Sequence, residues 1–347
     1  SSDLDSARQK GYTGKGITIA LIDTPVDLSD PELAGANIVD KSRCTLDASQ
    51  TSSPHGNSMA ALLVSQKYGV APDATLYTYQ TATNGAASSG SCKQGAKELD
   101  TIANLINQAI DDGAQIISIS LSNNERGSEI KWAITRAINE GVIIVSSSGN
   151  EAIYDDFTHL GRWSGVVGVT AINTDGTFAS YSSWGNGVVT AAVGGPVTIR
   201  DANTGELTTT SGTSNATALV SGMLALARQK WPEATTNQIL QSLVRSGLNP
   251  NHEWNQYTGY GAIDGGGLVI DDPSQYPDEN PLLNKPGGSE PTADEVADYA
   301  DGIVNPTETV GLPDPYVYRG ADDQVVMYQS DLKTPLHLGT SPRYHRK

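Results

Sequence analysis

The sequence has few of the features that mark a membrane protein or a nucleic-acid-binding protein. It contains no run of about 18 apolar residues, so we do not expect it to insert into a bilayer. Lys and Arg number only 22 against 39 Asp and Glu, which gives a net charge of −17 at pH 7. Nucleic acid and anionic membrane surfaces would repel this charge, so we expect neither as a partner. Its simplest role is solubility.

Cysteine is also scarce, since Cys44 and Cys92 are the only two. Neither belongs to a short pair motif typical of metal binding or redox chemistry. Both fall in polar stretches, which favours one disulfide in an oxidising compartment over two buried thiols. Such a bridge would contribute about 4 kcal/mol in the chain-entropy model.

The remaining composition is that of a loop-rich globular protein. Hydrophobic residues make up 37% of the 347 positions, and 36 glycines accompany many Ser, Thr and Asn residues. A chain of this length can bury a substantial core. The first residues, Ser1-Ser2-Asp3, are polar and acidic and do not form a signal peptide, so we expect a mature or trimmed product.

Short β-branched apolar runs alternate with amphipathic segments along most of the chain. Strands are predicted at 16–22, 74–79, 115–121, 142–147, 166–171 and 188–193, and helices at 97–111, 128–140, 236–245 and from Ser214 to the residue before Trp231. This alternation predicts an α/β fold, with a mostly parallel twisted sheet and helices on both of its faces.

The composition changes after Asp271. Residues 272–347 are rich in Pro, Asp and Glu and contain few periodic apolar positions. We therefore predict a folded domain over 1–271 and an acidic, Pro-rich C-terminal extension over 272–347 that packs along the surface or serves as a linker. A spacer leading to an anchor outside this chain is an alternative role for the extension.

Three polar residues stand next to predicted buried elements. Asp23 directly follows the strand at 16–22, where functional groups of parallel sheets gather. His55 is the only one of five histidines that introduces an apolar helical run. Ser214 begins a helix, whose unpaired N–H groups and dipole favour negative charge. Taken singly, Asp23 is also a common turn former and Ser214 a common helix cap.

Four segments together resemble the subtilisin family of serine peptidases. They are Ile19-Ala20-Leu21-Ile22-Asp23-Thr24, Pro54-His55-Gly56, Ser146-Ser147-Ser148-Gly149-Asn150-Glu151 and Ser211-Gly212-Thr213-Ser214-Asn215-Ala216. Their order along the chain, with Asp before His before Ser, is that of subtilisin. The resemblance covers roughly residues 10 to 270 and implies a subtilisin-like fold.

The resemblance also implies a catalytic triad. Ser214 would attack the scissile carbonyl, His55 would take its proton, and Asp23 would orient the imidazole. The side-chain amide of Asn150 and the backbone N–H of Ser214 would form the oxyanion hole.

The same resemblance places peptide recognition at Ser120, Leu121, Ser122 and Asn123, where a substrate backbone would pair with an exposed strand edge. Ser122 and Asn123 stand where the family has glycines in the wall of the primary specificity pocket. Their side chains should narrow that pocket, so we expect a preference for small residues before the scissile bond.

Other positions depart from the family pattern. Thr24-Pro25 follows the aspartate, Asn57-Ser58 follows His55-Gly56, and Ala218 replaces a proline. The stretch between His55 and Gly69 lacks the calcium-binding loop of some subtilisins. We therefore expect no required metal and no cofactor, and a weak calcium site on other loops is left open.

The resulting prediction is a secreted or cell-surface serine endopeptidase that acts as a monomer on protein or peptide substrates and processes them selectively. One alternative is a catalytically weak or silent subtilisin fold that serves as an assembly component, because of Pro25, Asn57 and Ser58 beside the site. Another is a transpeptidase or peptide cyclase, in which an amine instead of water resolves the acyl-enzyme.

Overall fold

The structure is a computed structural model that describes residues 2–47, 54–82, 89–95, 97–122, 125, 127–155, 157–200, 205–286 and 289–301. None of the helices in these ranges combines the length and the apolarity needed to cross a bilayer.

The chain alternates strands and helices in the predicted manner. The strands are β1 (Thr18–Asp23), β2 (Asn37–Asp40), β3 (Thr75–Gln80), β4 (Lys93–Gln94), β5 (Lys97–Glu98), β6 (Ile116–Ile119), β7 (Ile143–Ser147), β8 (Val166–Asn173), β9 (Val188–Gly195), β10 (Val197–Arg200) and β11 (Leu207–Thr210). The helices are α1 (Ser2–Gln9), α2 (His55–Val64), α3 (Ile102–Asp111), α4 (Ser128–Glu140), α5 (Thr213–Lys230), α6 (Thr236–Ser246), α7 (Gly265–Ile270) and α8 (Ala293–Ala300).

Seven strands form the central sheet in the order β2-β3-β1-β6-β7-β8-β9, and every neighbouring pair in it is parallel. The α/β fold with a mostly parallel sheet is thus confirmed. From β1 the chain first adds β2 and β3 on one side and then crosses to β6 on the other. The crevice outside the carboxyl ends of β1 and β6 is therefore a topological switch point, where α/β proteins place their ligands.

Each face of the sheet is covered by helices. Successive residues of β1 point to opposite faces of the sheet. Ile19 and Leu21 pack with α2, α5 and α6 on one face. Ala20 and Ile22 pack with α3 and α4 on the other. A strand whose residues are apolar on both sides must be covered on both sides, which explains its continuous apolar sequence.

Several local elements of the structure differ from the sequence-based predictions. The helix expected from residue 97 starts at Ile102, because Thr101 caps it by accepting from the Asn104 N–H, and residues 97–98 instead pair with 93–94. The antiparallel hairpin of β10 and β11 was not predicted. The edge strand β2 of the central sheet and the helices α1, α7 and α8 were not predicted either.

Residues 272–286 and 289–301 run along the surface of the parallel-sheet domain. Leu282 is buried in the core cluster of α2, α5 and α6. Further on, α8 lies against α4, where Trp132 and Tyr299 stack with ring centroids 6.3 Å apart. Lys131 and Glu295 form an ion pair of 2.7 Å in the same contact. The domain boundary at residue 271 stays a proposal, and residues 302–347 lie outside the described ranges.

Cys44 and Cys92 form a disulfide that closes a loop of 48 residues in sequence separation. Both are buried, and with Leu46 they form a small apolar cluster beside Ala82 and Leu99. This cluster lies apart from the two main core clusters. The bridge therefore holds a peripheral region that has little apolar packing of its own.

We predict that replacing Cys44 and Cys92 together by Ser lowers the free energy of unfolding by up to about 4 kcal/mol, because the unfolded chain regains the freedom of the closed loop. Thermal unfolding followed by circular dichroism, with and without a thiol reductant, measures this. The reductant should lower the midpoint of the parent protein and leave that of the double variant unchanged. Equal midpoints for the two proteins without reductant would contradict the prediction.

Candidate active site

Asp23 lies at the carboxyl end of β1, in the switch-point crevice, with only 1% of its surface exposed. One of its carboxylate oxygens, Oδ1, accepts a hydrogen bond of 2.7 Å from the Thr24 N–H. The same oxygen lies 2.7 Å from Nδ1 of His55. Burying a carboxylate is costly unless such partners surround it. The carboxylate of Asp23 therefore constrains the positions of the Thr24 backbone and the His55 ring.

His55 is the first residue of α2, and the start of this helix is held against the residue after Asp23. The Gly56 N–H donates to the Thr24 hydroxyl over 2.7 Å. A Cβ on Gly56 would lie 2.2 Å from the Thr24 carbonyl oxygen, so any larger residue would push the helix away. The glycine therefore permits the close approach that brings the imidazole to Asp23.

The electrostatics of His55 follow from this contact. Burial alone would lower the pKa of the imidazole, but the negative charge of Asp23 and the hydrogen bond to it outweigh burial and raise the pKa above its ordinary value. Because Nδ1 contacts Asp23, proton transfer on the opposite side of the ring would involve the other nitrogen, Nε2.

Ser214 is the second residue of α5, behind the N-cap Gly212 and Thr213. It is not the helix cap, because its hydroxyl donates to the Ser120 carbonyl oxygen at 3.2 Å. The Ser120 hydroxyl in turn donates to the Ser214 carbonyl oxygen at 3.4 Å. These two hydrogen bonds join the start of α5 to the end of β6. The Ser214 N–H lies in the first turn of α5, where the helix itself provides no acceptor for it.

Asn150 follows β7 and lies beside the start of α5. Its Oδ1 accepts from the Thr213 N–H over 2.8 Å and from the Thr213 hydroxyl over 3.0 Å. The side-chain oxygen is thereby occupied, so the group that the amide can offer to a ligand is its Nδ2 donor. Asn150 is itself exposed.

The predicted peptide-binding segment lies next to this constellation. Ser120 and Leu121 are buried and Ser122 is half-buried. Ser120 shares the hydrogen bonds with Ser214 given above. Asn123 lies outside the described residues.

Three contributing residues were not predicted to belong to the site. Thr24 ties Asp23 to α2, Thr213 fixes the amide of Asn150, and Asn57 holds the loop after β1. The Oδ1 of Asn57 accepts from the Asp27 N–H at 2.8 Å, and its Nδ2 donates to Asp30 at 2.9 Å. In the sequence, the only indication that these residues belong to the site is their position as a Thr or Asn close to a motif residue.

Within the described part of the chain, no group of three or more His, Cys, Asp or Glu side chains is placed to hold a metal ion.

Comparison with known proteins agrees with the α/β fold. The profile of the subtilase family matches residues 14–261. The chain is 30% identical over 276 residues to a thermostable alkaline protease of Halalkalibacterium halodurans, covering 77% of this chain and 70% of that protein. It is 28% identical over 246 residues to subtilisin E of Bacillus subtilis, covering 67% and 61%.

Among solved structures, MycP1 from the ESX-1 type VII secretion system is similar, with 25% identity and a TM-score of 0.64 over 80% of this chain and 86% of that one. Fold and relatives together define the class as that of the subtilisin-like serine endopeptidases. The chain belongs to the subtilase family.

We predict that Asp23→Asn lowers the pKa of His55, because the imidazolium loses the negative charge that stabilises it. The measurement is an NMR titration of the imidazole C–H resonances in a Ser214→Ala background, which limits self-digestion. Asp27→Asn is the matched control, because Asp27 is exposed and binds Ser29 instead. An unchanged titration of His55 in Asp23→Asn would contradict the assignment of this contact.

Proposed function

We propose that this subtilase hydrolyses peptide bonds through an acyl-enzyme on Ser214, with His55 as general base and acid and Asp23 as its orienting carboxylate. The observation that carries the proposal is the 2.7 Å contact between Asp23 and His55 at the switch point of the sheet. The first turn of α5 supports it, because it presents Ser214 next to the carboxyl end of β6.

The proton path runs through Nε2 of His55, because Nδ1 of the same ring contacts Asp23. As the Ser214 Oγ bonds to the scissile carbonyl carbon, its proton passes to Nε2 of His55. The same proton then goes to the leaving amine when the C–N bond breaks. Water repeats the sequence on the acyl-enzyme and releases the acid. Throughout, Asp23 stabilises the imidazolium, in keeping with the raised pKa of His55.

Two donors are proposed for the negative oxygen that forms when Ser214 attacks. One is the Nδ2 of Asn150, whose oxygen is held by Thr213. The other is the Ser214 N–H, in the first turn of α5, where the helix dipole also favours negative charge. Loss of one such donor in subtilisin itself costs about 3 kcal/mol in the catalytic step.

The residues that depart from the family pattern around the site favour an active enzyme over a silent assembly component. The Thr24 N–H donates to Asp23, and the Thr24 hydroxyl accepts from the Gly56 N–H in the first turn of α2. Asn57 anchors the loop that follows β1. Both residues hold the catalytic geometry in place of the residues that the family has there.

We propose further that the protein works outside the cytoplasm on selected protein or peptide substrates. The disulfide between Cys44 and Cys92 supports an oxidising compartment. Ser122 supports narrow specificity, because a side chain in the pocket wall excludes volume that a glycine would leave open.

The decisive experiment compares the parent with Ser214→Ala on a diverse peptide pool, with products measured by mass spectrometry. We expect hydrolysis by the parent and a loss of about 10⁶-fold in kcat, the magnitude measured for the corresponding serine of subtilisin. Ser274→Ala, at an exposed serine, should keep full activity.

Three results would each change the conclusion. A folded parent that neither cleaves peptides nor reacts at Ser214 with a fluorophosphonate would support the silent assembly component. Products lighter than the hydrolysis products by one water would support a cyclase. Activity that survives Ser214→Ala would remove Ser214 from the mechanism.

We predict that Ser122→Gly relaxes the specificity for the residue before the scissile bond. Removing the side chain widens the pocket, so kcat/KM for Phe relative to Ala should rise about tenfold or more. A matched pair of fluorogenic peptides that differ at this position measures the ratio, with Ser274→Gly as control. A parent that already prefers Phe or Tyr would contradict the narrow pocket.

A further inference from the structure

Glu125 joins two segments that are well separated in the sequence. It follows the proposed peptide-binding residues 120–123, and its side chain is half-buried. Its carboxylate accepts a hydrogen bond from the Ile102 N–H and another, of 2.9 Å, from the Ala103 N–H. Both donors belong to the first turn of α3. Glu125 therefore connects the segment after β6 to the start of this helix.

The helix α3 also has a cap of its own. Thr101 is the N-cap residue, and its side chain accepts from the Asn104 N–H at 3.3 Å. A local cap of this kind is a common way to satisfy the start of a helix. Glu125 binds two further N–H groups of the same turn, which the helix itself leaves unpaired. The contact thus adds a link between segments to a helix that is already capped.

The two linked segments flank the crevice at the end of β1. In the sheet, β1 lies between β3 and β6. The segment after β6 begins at Ser120, which contacts Ser214. The segment that leads into α3 is fastened just after β3, because the Thr81 hydroxyl donates to the Asp100 carbonyl oxygen over 2.8 Å. Glu125 therefore links the β6 side of the crevice to the β3 side.

The position of Glu125 in its segment indicates which part of a substrate it would affect. Ser120 lies at Ser214, so the scissile bond of a paired peptide would lie there. Ser122 stands in the proposed pocket for the residue before that bond. Because a strand advances by about 3.3 Å per residue, peptide residues still further from the bond would lie toward Glu125.

We propose that Glu125 is a positioning residue that sets the width of the groove for the second to fourth peptide residues before the scissile bond. This inference rests on the proposed peptidase function and adds a determinant of its specificity. Glu125 acts through the backbone of the two segments that it joins. Since the segments are held before a substrate arrives, an extended peptide does not lose binding free energy in ordering them.

Protonation of Glu125 would weaken this link. The carboxylate accepts from both N–H groups, whereas a protonated carboxyl has an O–H donor of its own. Burial raises the pKa of Glu125, and the negative charges of Glu129 and Asp100 add to this effect. The hydrogen bonds from α3 oppose the increase without cancelling it. Acid should therefore weaken the recognition of extended peptides at a higher pH than for an ordinary glutamate.

The test compares two fluorogenic peptides that share the residues at the scissile bond, one with four residues before that bond and one with two. Both peptides use the same triad, so effects on its chemistry cancel in the ratio of their kcat/KM values, long over short. We expect this ratio to fall about tenfold in Glu125→Ala and by less in Glu125→Gln, whose amide keeps one acceptor oxygen. The kcat/KM of the short peptide should change by less than about twofold, because the triad is untouched. If Glu125→Ala does not fold, Glu125→Gln decides.

The pH dependence of the ratio distinguishes positioning from a general effect on stability. In the parent, the ratio should fall as the pH is lowered from about 8 to about 5, which lies above the ordinary pKa of a glutamate. In Glu125→Gln, the ratio should be low and independent of pH.

Two variants serve as controls. Glu129→Gln makes the same chemical change at an exposed residue, so it should keep the ratio of the parent at high pH and move its fall to lower pH. Thr292→Val removes the side-chain cap of α8, which lies against α4, and shows the effect of a comparable loss of helix capping.

Binding of the same peptides to the Ser214→Ala form of each variant, measured by fluorescence anisotropy, repeats the comparison without the chemistry. A parent that cleaves neither peptide, while long-peptide binding still depends on Glu125, would contradict the proposed function and support this inference. An unchanged ratio in Glu125→Gln, an equal loss for both peptides, or the same loss in Glu129→Gln would overturn it.

Discussion

The architecture of the site depends on a buried carboxylate at the end of the first central strand. Asp23 is almost wholly excluded from solvent, and a charge in that position is expensive unless hydrogen-bond donors surround it. The residue after it and the first residue of α2 supply those donors. The requirement places the start of α2 close to the end of β1, where a Cβ on residue 56 would lie 2.2 Å from the Thr24 carbonyl oxygen.

The second half of the site is assembled by the first turn of α5. This turn is linked to the end of β6 through Ser120 and to the segment after β7 through Asn150. Three neighbouring parallel strands thus end at one edge of the sheet, and each contributes a contact. The nucleophile, its base and the oxyanion donors are proposed to meet there because parallel strands share the direction of their carboxyl ends.

Beyond the family match, residues 262–286 and 289–301 are part of the folded structure. Leu282 joins the main core, and α8 stacks on α4 on the other side of the sheet. Lys285 lies between these two anchors and inserts its ammonium group among backbone carbonyls. The acidic composition of this segment gave no indication that it packs against the domain, because only a few widely spaced apolar residues make the contacts.

The sequence by itself determined the alternation of strands and helices, the parallel sheet and the order of the four motifs. These features depend on apolar periodicity and on residues that are neighbours along the chain, which a sequence displays directly. It also favoured the disulfide from the surroundings of the two cysteines.

Only the tertiary structure decided that Ser214 is bound to Ser120 instead of capping its helix, that Thr24 joins Asp23 to α2, and that Lys285 is buried. Each of these contacts except that of Thr24 with Asp23 joins residues that are far apart in the sequence, and polar side chains leave no periodic signal. Whether such a side chain faces solvent or a buried partner is set by the packing of the whole domain.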